Sequence, residues 1–497
     1  MTRTSAAMVS FRGDTAPDWV LAGLEQGWLA AVCLFNYNVT SAAGLRSLTD
    51  SLRAAAARGG HPPPLIAIDQ EGGQLMAVGH GTTELPGNMA LGAARSSGLA
   101  RQTGRLLADE LLALGCNMNF APVLDLASQL ASHVVGIRSF SDDPKLAARL
   151  GAALISGLQE RGVLATAKHF PGHGRTAFDS HLTAPMIELT AEQLKEDLEP
   201  FRAAIEAGVA AVMSAHVSYP LLDPQPATHS HAVLTGLLRD RLGHRGLAVT
   251  DAMDMRAVTG LPAGESCLRA ARAGADLVLL GHLEGQEQLA RLLLKHNSDA
   301  AMRRVATARS GLASQLPELG TLGNREHRQL AQRVADEAVT VVRGQPYLNL
   351  RHADRLLLVS FENRTATPAD STGGAELSLL ACLQARHAMT SEVRVGADTT
   401  ARDLPEAARI IVATSDAAHD PRQREIVRQL VEAGRDPIVV ALRNPLDAAE
   451  LPDARHVICT YGWRPVQMEA ASRVLFGELH ARGKLPVKLP DRQEVLQ

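Results

Sequence analysis

Short apolar runs recur along the first part of the chain, each bounded by turn residues and followed by a longer helical pattern. They are Ala31–Phe35, Leu65–Asp69, Asn117–Pro122, Leu164–Lys168, Ala210–Ser214, Leu247–Asp251 and Asp276–Gly281, with a further run at Ala7–Phe11. These runs are apolar at successive positions, as strands buried on both faces of a parallel sheet must be. Helical patterns lie between them at Leu99–Leu114, Pro144–Glu160 and Ala191–Ala207. Strand and helix alternate about eight times over roughly 310 residues, which suits a (β/α)8 TIM-like barrel better than an open doubly wound sheet.

A polar, glycine-marked stretch at Leu316–Arg325 reads as the exit from the barrel, and a helix is expected over His327–Val342. A second α/β pattern follows, with strands expected at Arg355–Ser360, Arg409–Thr414, Pro437–Leu442 and His456–Thr460. The expected organisation is a catalytic barrel over 1–318, a linker and helix over 319–345, and a smaller three-layer α/β domain over 346–497. No internal repeat or low-complexity tract interrupts this plan.

Composition narrows the function classes. The 497 residues are 46% hydrophobic and 21% charged, with a net charge of −3. That balance offers no basic stripe for nucleic acid and no patch for an anionic membrane. The five cysteines are widely spaced and form no CxxC pair, which argues against a disulfide framework or a structural zinc site. The N-terminal stretch lacks an apolar run of the kind a secretory signal carries, and no run is long enough to span a bilayer. A cytoplasmic enzyme acting on a small molecule is therefore expected, without cofactor or metal. The sequence gives no oligomeric state.

Polar residues cluster where the barrel strands end. Asp69 follows LIAI, Lys168 and His169 follow LATA, His216 follows AAVMSA, and Asp251 follows LAVT. In such barrels the C-terminal strand ends carry the chemistry. Asp251 ends an apolar strand, where an ionised carboxylate is costly unless used or paired. Asp254 is the rival carboxylate, although capping of the next element explains it equally well. The densest segment, Lys168-His169-Phe170-Pro171-Gly172-His173-Gly174, continues to Asp179-Ser180-His181. Its glycines and proline predict a long loop over the barrel mouth. Asp179 lies close enough to orient the His181 imidazole, and a carboxylate partner suits histidine to proton shuttling near neutral pH. Read alone, Asp179 and Ser180 could equally cap a turn, and Asp69 could equally form one.

Taken in order, IDQEGG, FAPVLDLA, KHFPGHG with DSH, and TDAMDM resemble glycoside hydrolase family 3, in its two-domain bacterial β-N-acetylglucosaminidase branch. The likeness covers roughly residues 5–315, and the closing GKLPVKLP resembles the second domain of two-domain members. The resemblance implies a retaining β-glycosidase acting on a glycoside. In that reading Asp251 is the nucleophile, His181 the acid/base and Asp179 its partner, while Asp69, Arg138, Lys168 and His169 hold the sugar. His173 is expected to be structural. The family usually places a basic residue and then a second arginine after DQEGG. Here the stretch is Gln74-Leu75-Met76-Ala77-Val78, so the sugar is less defined than the reaction. Another sugar, a modified glycoside or phosphorolysis remains open. Two rivals stand beside this reading: a metal-dependent hydrolase using His169, His173, His181 and His216, and a sugar-binding protein without turnover.

Overall fold

The computed structural model describes residues 3–79, 81–132, 134–176, 185–361, 379–396 and 399–490. Asp179 and His181 lie outside the described residues.

Eight parallel strands form one sheet: Ala7–Val9, Ala31–Leu34, Leu65–Ile68, Met118–Asn119, Leu164–Phe170, Ala211–Ser214, Leu247–Thr250 and Val278–Leu279. Each pairs with its neighbours in chain order, and the eighth pairs with the first. A parallel bridge between Val249 and Leu277 joins the seventh strand to the eighth and closes the barrel. All eight coincide with the apolar runs of the sequence. The fifth extends two residues beyond the expected Lys168, so Lys168 and His169 lie within it.

Burial on two sides explains why these strands lack alternation. Inward-facing Met8, Cys33, Ala67, Met118, Met213 and Val249 fill the barrel interior. Outward-facing Val32, Ile66, Ile68, Val212 and Ala248 pack under the surrounding helices. The helices begin where the sequence supplies caps. Asp143 accepts from Lys145 N at 2.9 Å before Pro144–Glu160, and Thr190 with Gln193 forms a capping box before Ala191–Glu206.

The second sheet has six strands in the order Thr340–Arg343, His456–Cys459, Ile438–Ala441, Arg409–Thr414, Leu356–Phe361, Thr390–Val395. Two of these differ from expectation. The helix expected over His327–Val342 spans Arg325–Ala338, and Thr340–Arg343 is instead a strand antiparallel to His456–Cys459. Its Thr-Val-Val run carries β-branched side chains that favour extended backbone. Thr390–Val395 is an edge strand, half exposed, so it lacks the continuous apolar run of its neighbours.

The two sheets are joined by more than the connecting helix. Residues 483–488 run back over the barrel: Lys484 N donates to Ala93 O at 3.1 Å, Ser141 Oγ donates to Pro486 O, and Lys488 N donates to Asp142 Oδ2 at 2.8 Å. Among the described residues, no helix is long and apolar enough to cross a membrane.

Candidate active site

A cavity of about 460 Å³ opens at the C-terminal ends of the barrel strands. Asp69, Arg138, Lys168, His169 and Asp251 all line it, although they are far apart in sequence. The local chain explains each position. Asp69 follows the third strand, where the buried Asn119 side chain accepts from Gln70 N at 3.1 Å and donates to Gln70 O at 2.9 Å. Asp251 follows the seventh strand; its N–H donates to Ser214 O at 3.3 Å and its Oδ1 accepts from Ala252 N at 2.8 Å. Arg138 ends a short turn, Gly136–Arg138, whose carbonyl accepts from Asn88 Nδ2 at 2.8 Å.

The polar wall is a charge network. Lys168 Nζ contacts Asp69 Oδ1 at 2.6 Å and Glu71 Oε1 at 2.7 Å. Glu71 also receives both arms of Arg138, at 2.9 and 2.7 Å, in the bidentate geometry that makes such pairs strong. Burial works against ionising Glu71, but Arg138 and Lys168 outweigh it and hold its carboxyl down at about 2. Burial likewise opposes the charge on Lys168, yet Asp69 and Glu71 keep its ammonium above the ordinary lysine range. Two fixed cations and a partly exposed carboxylate therefore face the cavity, a set suited to gripping vicinal hydroxyls.

His169 is held from behind. Its Nδ1 lies 2.7 Å from Asp125 Oδ2, while its own N–H donates to Asp125 Oδ1 at 3.1 Å. Burial opposes the Asp125 charge, but His169 and His173 keep the carboxyl below its usual range. An ionised carboxylate only accepts, so Nδ1 carries the proton. Nε2 then points to Asp251 Oδ2, 3.9 Å away. His173 packs edge-on to His169 with ring centroids 5.9 Å apart, and burial pulls its imidazole down to about 4. His216 lies 2.7 Å from Thr228 Oγ1 and 2.9 Å from Ala252 O, beside the Asp251 turn. Among the described residues no group of three or more His, Cys, Asp or Glu side chains could hold a metal ion.

Sequence reading missed the roles of Glu71 and Asp125. Both stand in the quoted segments IDQEGG and FAPVLDLA, where an acidic residue inside an otherwise buried run was the available signal. It also missed Tyr37, His282 and the cavity position of Asp254.

Residues 13–309 match the family described as "Glycosyl hydrolase family 3 N terminal domain". This chain belongs to glycosyl hydrolase family 3. Its fold is similar to a family 3 β-N-acetylglucosaminidase from Paenibacillus sp. str. FPU-7, with 33% identity, a TM-score of 0.88 and 97% of each chain covered. It is 38% identical over 281 residues to a β-hexosaminidase of Nitrosomonas eutropha, covering 55% of this chain and 79% of that protein. It is 34% identical over 364 residues to β-hexosaminidase A of Pseudoalteromonas piscicida, covering 65% of this chain and 61% of that protein. The chain thus spans under two thirds of that longer relative.

The second domain of this family 3 chain braces the polar wall. Arg464 is 1% exposed; its Nε donates to Gly73 O at 2.8 Å and its NH1 pairs with Glu84 at 2.9 Å. Arg443 NH2 donates to Gln74 Oε1 at 3.2 Å. Gly73 and Gln74 directly follow Glu71 in the chain, so the loops around Arg443 and Arg464 hold this segment from the second domain. Arg464→Met leaves a buried carbonyl without its donor and is expected to cost about 1–3 kcal/mol. The urea midpoint of the variant checks this, and an unchanged midpoint contradicts it.

Proposed function

We propose that the chain is a retaining β-N-acetylhexosaminidase that removes a terminal N-acetylglucosamine. The observation that carries the proposal is the placement of Asp251 in one cavity with Asp69, Arg138, Lys168 and His169. The likeness to a family 3 β-N-acetylglucosaminidase over 97% of the chain supports the choice of sugar.

In the first step Asp251 attacks the anomeric carbon and His181 protonates the departing oxygen. Asp179 holds His181 in the required orientation, so this pair replaces the second carboxylic acid that most glycosidases use. Lys168, Arg138, Asp69 and His169 hold the ring so that binding favours the oxocarbenium-like transition state. In the second step neutral His181 deprotonates water. Water attacks the glycosyl-Asp251 ester, Asp251 leaves as carboxylate, and the sugar departs with its β configuration retained.

A panel of nitrophenyl β-glycosides tests the sugar: N-acetylglucosaminide should exceed glucoside and xyloside in kcat/KM, and preference for another sugar overturns that assignment. Product analysis in phosphate against a non-nucleophilic buffer tests the acceptor. A sugar 1-phosphate as the main product would replace hydrolysis by phosphorolysis.

The role of His181 gives a further expected result. In His181→Ala, glycosides with poor leaving groups should lose activity far more than activated nitrophenyl glycosides. Azide should partly restore the deglycosylation step. Equal losses on both substrate types, without azide rescue, would remove His181 from the acid/base role.

A division into a barrel over 1–318, a linker and helix over 319–345 whose Thr340–Arg343 strand completes the second sheet, and a C-terminal domain over 346–497 belongs to this proposal, as does a cytoplasmic location. Five free, buried cysteines suit a reducing compartment. Limited proteolysis and cell fractionation test the two statements.

A further inference from the structure

Arg138 stands on irregular backbone. Among the described residues between the strand Met118–Asn119 and the helix Pro144–Glu160, the only helical element is the short turn Gly136–Arg138. Regular structure therefore does not fix the Arg138 main chain, and contacts from elsewhere must. Ser139 and Ser141, both fully buried, supply the first of them. Ser139 follows Arg138, and its Oγ donates to Asp125 O at 2.6 Å. Asp125 is the residue whose carboxylate orients His169. Ser139 Oγ also accepts from Ser141 N at 3.2 Å, and Ser141 O accepts from Ala127 N at 3.0 Å. One pair of serines thus stands behind two of the residues given sugar-holding roles above.

The segment 483–488 closes over this pair from the second domain. In Lys484-Leu485-Pro486-Val487-Lys488 the two lysines are exposed while Pro486 and Val487 are buried. Ser141 Oγ donates to Pro486 O. Val487, 5% exposed, belongs to one apolar cluster with Met89, Ala127 and Ile137, the residue before Arg138. Lys484 N bonds to Ala93 O and Lys488 N to Asp142 Oδ2, which pins the segment on either side of Val487. The fit has no slack: a Cβ on Gly92 would lie 1.9 Å from Phe140 O and 3.1 Å from Pro486 Cβ. Neither Pro486 nor Val487 lines the cavity.

We propose that the segment 483–488 positions the sugar grip, holding Arg138 through Ile137 and Ser139, and His169 through Ser139 and Asp125. The inference rests on the glycosidase reading, in which these two side chains hold the ring. It deepens that reading by making Val487 a positioning residue that touches no substrate. Hydrogen bonds weaken steeply with distance and angle, so a small shift of the Arg138 turn loosens the grip on the sugar hydroxyls. A grip made alike on substrate and transition state shows in KM when it is loosened, and leaves kcat in place.

The test uses the full-length protein and the nitrophenyl β-glycoside that the wild type cleaves best. Val487→Ala should raise KM about fivefold and keep kcat within about twofold, the pattern of lost uniform binding. Val487→Ile, which keeps the packing, should hold KM near the wild-type value. Val439→Ala removes the same two carbons from the core of the second sheet. It should lower the unfolding temperature and leave KM unchanged, which separates positioning from mere stability. Arg138→Lys raises KM by itself, and adding Val487→Ala should give less than the product of the two single effects, as expected of residues acting through one another. An unchanged KM in Val487→Ala, an equal rise in Val439→Ala, or a full product in the double variant overturns the positioning role. If Val487→Ala does not fold, Ser141→Ala, which removes the bond to Pro486 O, is read by the same criteria. A wild type that cleaves none of the nitrophenyl β-glycosides overturns the glycosidase reading, and this inference with it. An active wild type with KM unmoved by the variants overturns the inference alone.

Discussion

Asp251→Asn is expected to lower turnover of an unactivated glycoside by roughly 10⁴-fold or more, the scale seen when a covalent nucleophile is removed. The fold should survive, because Asp251 is partly open to solvent, with 19% of its side chain exposed. Its Oδ1 accepts from Ala252 N and its Oδ2 lies 3.9 Å from His169 Nε2, and asparagine can keep the turn contact to Ala252. Asp254→Asn serves as the comparison. It should reduce disaccharide cleavage far less, because Asp254 forms no bond to the anomeric carbon. Steady-state kinetics on one disaccharide, with circular dichroism of each variant, decides between them. A larger loss for Asp254→Asn, or near wild-type rates for Asp251→Asn, would move the nucleophile away from Asp251.

Glu71→Gln should produce the largest stability loss. Glu71 lies between Arg138 and Lys168, and all three are buried. Gln keeps the shape but removes the one charge that Arg138 and Lys168 share, leaving excess positive charge in a poorly solvated place. Breaking such a buried group from one side costs about 3–5 kcal/mol. The pH dependence follows from the depressed carboxyl. Its folded value of about 2 lies below the ordinary value of 4.5, so the stabilisation is complete above pH 4.5 and is lost as pH falls toward 2. Urea midpoints of wild type and Glu71→Gln should therefore differ most near neutral pH and converge in strong acid. Equal midpoints at every pH would mean that Glu71 acts by shape alone, and a difference independent of pH would contradict the titration of this carboxyl.

Much of this arrangement was readable in the sequence because burial leaves a direct mark. The eight barrel strands are covered on both faces, so each appears as an unbroken apolar run. A charged residue ending such a run, like Asp69 or Asp251, stands out against it. Thr390–Val395 escaped because an edge strand exposed to solvent needs no such run. Thr340–Arg343 was absorbed into the preceding helix because sequence pattern places element boundaries poorly when no turn residue separates them.

The site partners were harder for a different reason. Glu71 matters through Arg138, 67 positions away, and Asp125 through His169, 44 positions away. Arg464 reaches Gly73 across 391 positions. Contacts of this kind have no period or spacing in one sequence. They follow from how the strands close and how the second sheet docks. The contact between Tyr37 and His282 was hidden likewise, since the two rings meet only when the eighth strand returns beside the first.

The most direct test of the account is to trap the glycosyl-enzyme. A 5-fluoro derivative of N-acetylglucosaminyl fluoride has a good leaving group, and its ring fluorine slows both steps. The first step still proceeds, so the intermediate accumulates. Mass spectrometry of the intact protein, followed by fragmentation of the tryptic peptide from Gly246 to Arg256, locates the label. The account predicts one added sugar, carried by Asp251. A label on Asp254 or another residue, or turnover of the parent substrate with no adduct and inverted product, would contradict it.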